Sequence, residues 1–397
     1  MREPFTAPKQ GHLSLTTGDK DMAILYTSSS SRTPQVRYGP SSKELIASAN
    51  GTTTTYSFND MFVFTKWMVK CQPPATIRAQ RLFRDPGFLH TVIMRNLEAD
   101  RVYFYQYGND LDGWSHVERF RSRPSADSKN ARVIAFGDLG VYPPPASVTT
   151  VERIVEDIKY GGYDSFLLHF GDIRPYMVSV GNHEYCYSAG GERDPSGGAQ
   201  PGGGSFSPSW GNYGSDSNGE CGVPMHYRWH GLHVVQMSAE HDWTRGSEQY
   251  EWLKRDLEGV NRTVTPWVIL TVHRMTAGNE PEMVVGNHLR DAIDDLLFDN
   301  RVNLVLEGHQ HSYERTCPVY KGKCIDSGEA PVHLIVGSAG YPLNMAEFSD
   351  KYGNWSLKHI AEYGYLRIVS TAEEMRMQFV LNKNGEVFDE FALAPWR

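Results

Sequence analysis

Hydrophobic and polar positions change period near residue 131. Upstream, short β-branched and aromatic runs (HLSLTT, MAILYT, TTTYSF, HTVIMRNL, RVYFYQYG, HVERFRS) alternate with turn residues. That spacing predicts an all-β sandwich over residues 1–122. The polar segment Arg121–Lys129, which carries Pro and Ser, reads as a linker. From Ala131 onward strands alternate with helices, the signature of an α/β layered domain over 131–397. Val151, Ile154, Val155 and Ile158 fall at i, i+3, i+4 and i+7, predicting a helix whose capping box is Thr149 and Glu152. Further helices are predicted at SEQYEWLKRDL (Tyr250, Leu253, Leu257) and HLRDAIDDLLF (Leu289, Ala292, Ile293, Leu296). A closing hairpin turns at Asn384-Gly385. The Gly-rich stretch 189–222 has no periodicity and reads as a disordered surface loop, the alternative being a lid over the site.

The chemistry sits where the apolar runs stop. ARVIAF ends in Gly137-Asp138, SFLLHF in Gly171-Asp172, and YMVSV in Gly181-Asn182-His183-Glu184. PWVILTV ends in His273-Arg274, and VNLVLE in Gly308-His309-Gln310-His311. Ligands in open α/β sheets bind outside the carboxyl ends of the strands, so the pattern reads as a metal site built by one sheet. A lone Asp at such a position is often only a helix N-cap. Several such motifs in order, each after an apolar strand, favour metal ligation. Asp, Asn and His donors suit iron, zinc or manganese. Two such ions a few ångströms apart supply a nucleophile and positive charge for phosphoester hydrolysis.

Composition narrows the setting. The net charge of −8 and the lack of a basic run argue against a nucleic-acid partner. No apolar stretch is long enough to span a bilayer. MREPFTAPKQ has no hydrophobic leader core, which we read as a truncated N-terminus. N-glycosylation acceptors at Asn50, Asn261 and Asn354 favour a secreted protein. Of the five cysteines, Cys317 and Cys324 bracket a short loop and can pair, and Cys186 with Cys221 is a second candidate pair, leaving Cys71 odd. Five free thiols in a cytosolic protein is the alternative, because connectivity is not written in sequence.

The motif order Gly137-Asp138-Leu139-Gly140, Gly171-Asp172, Gly181-Asn182-His183-Glu184, His273, Gly308-His309-Gln310-His311 resembles the metallophosphoesterase superfamily. Ser312-Tyr313-Glu314-Arg315-Thr316, Ser238-Ala239-Glu240-His241 and Asp85-Pro86-Gly87-Phe88-Leu89-His90 narrow the resemblance to the purple acid phosphatases. It implies a fibronectin type III-like sandwich followed by an α-β-β-α phosphoesterase domain. The implied activity is acid hydrolysis of small phosphate monoesters by a metal-bound hydroxide at an Fe(III) plus Zn, Mn or Fe centre, in a secreted protein with a homodimer left open. Asp138 and His311 would hold the ferric ion, Asp172 would bridge, and Asn182, His273 and His309 would hold the divalent ion. His183 would protonate the leaving oxygen, its alternative being a supporting strut for the ligands. Arg274 would contact phosphate, the alternative being a surface ion pair.

Two departures qualify this. The family pattern Gly-Asp-x-x-Tyr supplies a tyrosine to the ferric ion, whereas Gly171-Asp172-Ile173-Arg174-Pro175-Tyr176 places Tyr176 one position late. A parallel crossover needs about a dozen residues, and 171–175 supplies too few, so a crossover is missing near 173–175. A tight antiparallel turn would carry Asp172 and Asn182 to opposite ends of the sheet; the one escape is that the first run leaves the sheet or its strand is shortened and distorted. A skipped exon or faulty gene model would explain the gap and leave apolar sheet exposed. The second departure is His273-Arg274-Met275-Thr276-Ala277 in place of His-Arg-Pro-Met-Tyr, with a shortened loop. The expected alternatives are therefore a nucleotide pyrophosphatase/phosphodiesterase and a catalytically impaired form lacking the tyrosine ligand.

Overall fold

The computed structural model describes residues 6–16, 18–55, 85, 87–125, 127–140, 145–170, 178–179, 225–229, 231–239, 243–274, 276, 283–325, 328–344, 348 and 354–396. The chain divides into two compact units, Met1–Met61 with Leu82–Ser128, and Phe62–Arg81 with Lys129–Arg397.

The first unit contains strands β1 (Lys9–Leu15), β2 (Met22–Ser28), β3 (Gln35–Gly39), β4 (Ala47–Asn50), β5 (Thr52–Thr54), β6 (Phe88–Met94), β7 (Val102–Asn109), β8 (Gly113–Trp114) and β9 (Glu118–Arg121). They form one sheet in the order β1-β2-β6-β5 and another in the order β4-β3-β7-β8, with β9 also on β7. Alternate residues of both sheets, among them Ile24, Val36, Val92, Met94 and Tyr105, meet in one core. This is the predicted sandwich. The half-polar β3 and β4 gave no sequence signal.

In the second unit the strands are β10 (Ala131–Phe136), β11 (Phe166–Phe170), β12 (Val178–Ser179), β13 (Met225–Trp229), β14 (Leu232–Gln236), β15 (Trp267–Val272) and β16 (Leu304–Glu307). These are followed by β17 (Tyr313–Tyr320), β18 (Lys323–Cys324), β19 (Val332–Val336), β20 (Ser356–Ile360), β21 (Gly364–Ser370), β22 (Met375–Leu381) and β23 (Val387–Leu393). A six-stranded sheet runs β12-β11-β10-β21-β22-β23, and an eight-stranded one runs β13-β14-β15-β16-β19-β17-β18 with β20 on β17. Helices α2 (Glu248–Glu258) and α3 (Met283–Asp299) cover the larger sheet through Leu253, Leu257, Leu289 and Ile293, packed on Val235, Val268 and Leu270. Helix α1 (Ser147–Glu156) packs Ile154 against Ile134, Phe136, Tyr365 and Val380 of the smaller sheet. Tyr313 stacks on Phe379 across the two sheets. The result is the α-β-β-α sandwich.

Helix α1 corrects two expectations. It begins at Ser147 with no side-chain cap, so Thr149 and Glu152 form no capping box. The buried positions are Thr150 and Ile154, whereas Val151 is 45% and Val155 38% exposed. The Thr150 hydroxyl bonds the Ala339 carbonyl, which rolls the helix toward that contact and turns the two valines outward. Asp157–Gly161 then continues as a π-helical turn.

The strands on either side of residues 171–177, which lie outside the described ones, pair over a short length. Strand β12 pairs parallel to β11, His169 beside Val178 and Phe170 beside Ser179. A full crossover carries the chain back along a strand's whole length. Here only the last two residues of β11 are paired, so the return is about one residue of rise. The parallel pairing excludes a tight antiparallel turn between the two strands, and so short a β12 removes the need for the dozen-residue crossover. Leu167 on β11 is 44% exposed, as expected of a sheet face that no helix covers among the described residues. The disulfide Cys317–Cys324 is formed. Cys71, Cys186, Cys221 and the 189–222 stretch lie outside the described residues. Asn50, Asn261 and Asn354 are all exposed.

Candidate metal centre

The expected ligands converge from two sheets. Asp138 follows β10 of the six-stranded sheet, while His273 follows β15 and His309 and His311 follow β16, all of the eight-stranded sheet. The expectation of a site built by one sheet is therefore corrected: the carboxyl ends of both sheets share it. The two sheets are tied there by the backbone bond from Gly137 N–H to Val336 O (2.8 Å), and the ends of β15 and β16 by that from Gly308 N–H to His273 O (3.0 Å).

Asp138 is fully buried. Its Oδ2 accepts the backbone N–H of His309 at 2.8 Å. Its Oδ1 faces Nε2 of His311 at 3.6 Å and Nε2 of His273 at 3.9 Å. These separations are too long for hydrogen bonds. The separation from His311 is near the spacing of two donor atoms on one ion with bonds of about 2.0–2.2 Å. Each imidazole is held by its other nitrogen: Nδ1 of His273 lies 3.0 Å from the Phe170 carbonyl, and Nδ1 of His311 lies 2.8 Å from the Pro342 carbonyl. A carbonyl only accepts, so both Nδ1 atoms carry the proton and both Nε2 lone pairs face the carboxylate. That is the arrangement by which proteins orient metal-binding histidines.

The backbone is committed to this geometry. Asp138 (φ 55°) and His309 (φ 67°) sit in the left-handed region, which is costly for residues with a Cβ. Gly308 and Gly337 line the carboxylate, and a Cβ on either would lie 2.6 or 2.8 Å from Asp138 Oδ2. No three His, Cys, Asp or Glu side chains among the described residues close into a complete ion cage. The donor set, its tautomers and the glycine cradle nevertheless fit a metal of the expected kind.

Arg274 is 2% exposed, so the surface ion pair considered for it is excluded. Its Nη1 lies 3.3 Å from Nε2 of His309, so the guanidinium donates to that nitrogen. An ion held by His309 must use Nδ1, or Nε2 after Arg274 has moved. Asp172, Asn182, His183 and Tyr176 lie outside the described residues. Sequence reasoning missed Gly337, Pro342 and Tyr341, whose ring packs edge-on against His311 at 5.0 Å. VHLIV-Gly337 repeats the strand-then-glycine signal, but carries no ligand type after it.

A β-sandwich followed by a two-sheet α-β-β-α layer, with Asp and His at the converging strand ends, defines a metallophosphoesterase with an N-terminal β-domain. The comparisons agree segment by segment. Residues 8–122 match the purple acid phosphatase N-terminal domain, 117–313 the calcineurin-like phosphoesterases, and 330–390 the iron/zinc purple acid phosphatase-like protein C family. The chain belongs to the purple acid phosphatase family. It is 29% identical to a probable inactive purple acid phosphatase 9 of Arabidopsis thaliana over 98% of this chain and 67% of that protein. It is 26% identical to a nucleotide pyrophosphatase/phosphodiesterase of Hordeum vulgare, over 70% of this chain and 88% of that one. The solved structure of a purple acid phosphatase from yellow lupin seeds shares the fold, with a TM-score of 0.80 at 24% identity over 98% of this chain and 74% of that one. The chain thus spans about two thirds of the Arabidopsis relative's length.

Proposed function

We propose that this protein hydrolyses small phosphate monoesters at a dinuclear metal centre. The single observation that carries the reading is the buried Asp138 carboxylate faced by two imidazole Nε2 atoms, each ring fixed by a backbone carbonyl. Asp138 and His311 would hold one ion, and His273 and His309 with Asn182 the other. Asp172 would bridge them, as the resemblance to the purple acid phosphatases implies. The metal pair, Fe(III) with Zn, Mn or Fe, supplies positive charge against the phosphoryl oxygens and a nucleophile at acid pH. Arg274 binds a phosphoryl oxygen as a fixed cation that cannot lose its charge. His183 gives its proton to the leaving oxygen. The disulfide and the exposed asparagine acceptors support an extracellular setting.

A second reading, a metal-binding form without turnover, is favoured by the shortened β11–β12 connection in the segment expected to supply the tyrosine. The test is metal content and visible absorption of the purified protein, followed by hydrolysis of phenyl phosphate and of a nucleoside diester at acid pH. Two ions per chain with monoester turnover is the expected result. Faster turnover of the diester would move the substrate class. Ions without turnover or a tyrosinate-to-iron band would establish the second reading, and protein that takes up no ion would sink both.

A further inference from the structure

Glu307, the last residue of β16, is fully buried, and no opposite charge other than an imidazole is bonded to it among the described residues. Its Oε1 accepts the backbone N–H of Thr276 at 2.7 Å and also the Thr276 hydroxyl. Nδ1 of His333, from β19, lies 3.3 Å from the same oxygen and 3.1 Å from the Thr276 hydroxyl. Arg290 of α3 closes the far side, its Nη1 3.4 Å from the Thr276 carbonyl. All three members of the cluster are at most 1% exposed, and Glu307 Oε2 has no hydrogen-bond partner among the described residues. Burying a carboxylate in this half-satisfied state is costly. Such a group persists where the structure uses it.

The use is visible in the chain path. The chain on either side of Met275 is fastened to adjacent residues of one strand end: His273 O accepts Gly308 N–H, and Thr276 is held by Glu307. Arg274 stands inside that staple, against His309. We propose that Glu307, through Thr276 and His333, is a positioning residue that holds the His273–Arg274 turn in register with His309 and so sets the metal affinity of that half of the centre. The sequence His273-Arg274-Met275-Thr276-Ala277, which departs from the family pattern, is thereby given its own anchor. The proposal rests on the metal-site reading above.

Zn(II) affinity of the full chain, measured by competition with a chromophoric chelator, tests it beside the melting temperature of metal-free protein. Thr276→Val removes the hydroxyl and Glu307→Ala removes the acceptor. Both should weaken Zn(II) binding about 10–100-fold, the range for residues that orient ligands. Thr276→Ser, which restores the hydroxyl, and Glu307→Gln, which still accepts the Thr276 N–H, should stay within about threefold of wild type. A merely structural clamp would lower the melting temperature while leaving the affinity of the folded protein unchanged. Thr276→Val with wild-type affinity therefore overturns the inference alone. A wild-type chain that binds no Zn(II) overturns the site reading and the inference with it.

Discussion

Replacing Gly308 by alanine tests the architecture of the centre most directly. An added Cβ would stand 2.6 Å from Asp138 Oδ2, 3.0 Å from the Phe170 carbonyl oxygen and 3.3 Å from His273 Nδ1. Ordinary van der Waals contact begins near 3.4 Å, so the carboxylate must retreat by 3.4 − 2.6, or 0.8 Å. The methyl would also intrude on the His273 Nδ1–Phe170 bond of 3.0 Å and on the His309 N–H bond to Asp138 of 2.8 Å. Overpacking of this kind costs about 1–3 kcal/mol. Because the displaced atoms are the ones expected to meet the ions, affinity should fall about 10–100-fold. Zn(II) competition titration and thermal melts of metal-free and Zn-loaded protein would measure both effects. If Gly308→Ala matched wild type in both affinity and melting temperature, the tight cradle described here would be wrong.

Further outcomes follow from contacts elsewhere in the second unit. Asp389 on β23 accepts the Tyr313 hydroxyl at 2.7 Å and both ends of the Arg315 guanidinium, at 2.7 and 3.1 Å, tying the two sheets together. Burial alone would raise its pKa, but hydrogen bonds from Arg315 and Tyr313 prevail and hold it below the ordinary value. A depressed carboxyl contributes stability above its unfolded pKa and loses it as pH falls through the lower folded value. Asp389→Asn should therefore cost about 2 kcal/mol at neutral pH, a difference that shrinks below about pH 4 in urea melts; a pH-independent difference would refute this. Cys317→Ser with Cys324→Ser opens a short loop and should cost about 2–3 kcal/mol by the chain-entropy argument, read as a lower urea midpoint. An unchanged midpoint would count against it. Arg274→Ala should weaken competitive inhibition by inorganic phosphate at least about tenfold, and unaltered inhibition would remove Arg274 from the anion site.

Much of this protein was legible before its structure. Alternating and 3.6-residue periods specify the sandwich, helices α2 and α3, and the closing hairpin, because those elements bury one continuous apolar face each. Asp or His just past an apolar strand, with a glycine at two of the three strand ends, marked Asp138, His273, His309 and His311 as candidates, since ligands collect at carboxyl edges whatever the register. Helix α1 misled because its orientation is fixed by a polar contact, Thr150 to Ala339, invisible to a count of apolar positions. Glu307, Thr276 and His333 come from three separate segments, and no local pattern announces a buried polar cluster.

The sequence by itself therefore determined which residue types stand at the ends of which strands, because that depends only on local period and chain order. It also fixed the shortness of the segment between Asp172 and Asn182. What tertiary structure decided was that two sheets, not one, bring the expected ligands Asp138, His273, His309 and His311 together. It also decided that β12 pairs over two residues of β11, which makes the short connection feasible. Both depend on register and on packing between distant segments, which a one-dimensional pattern does not encode.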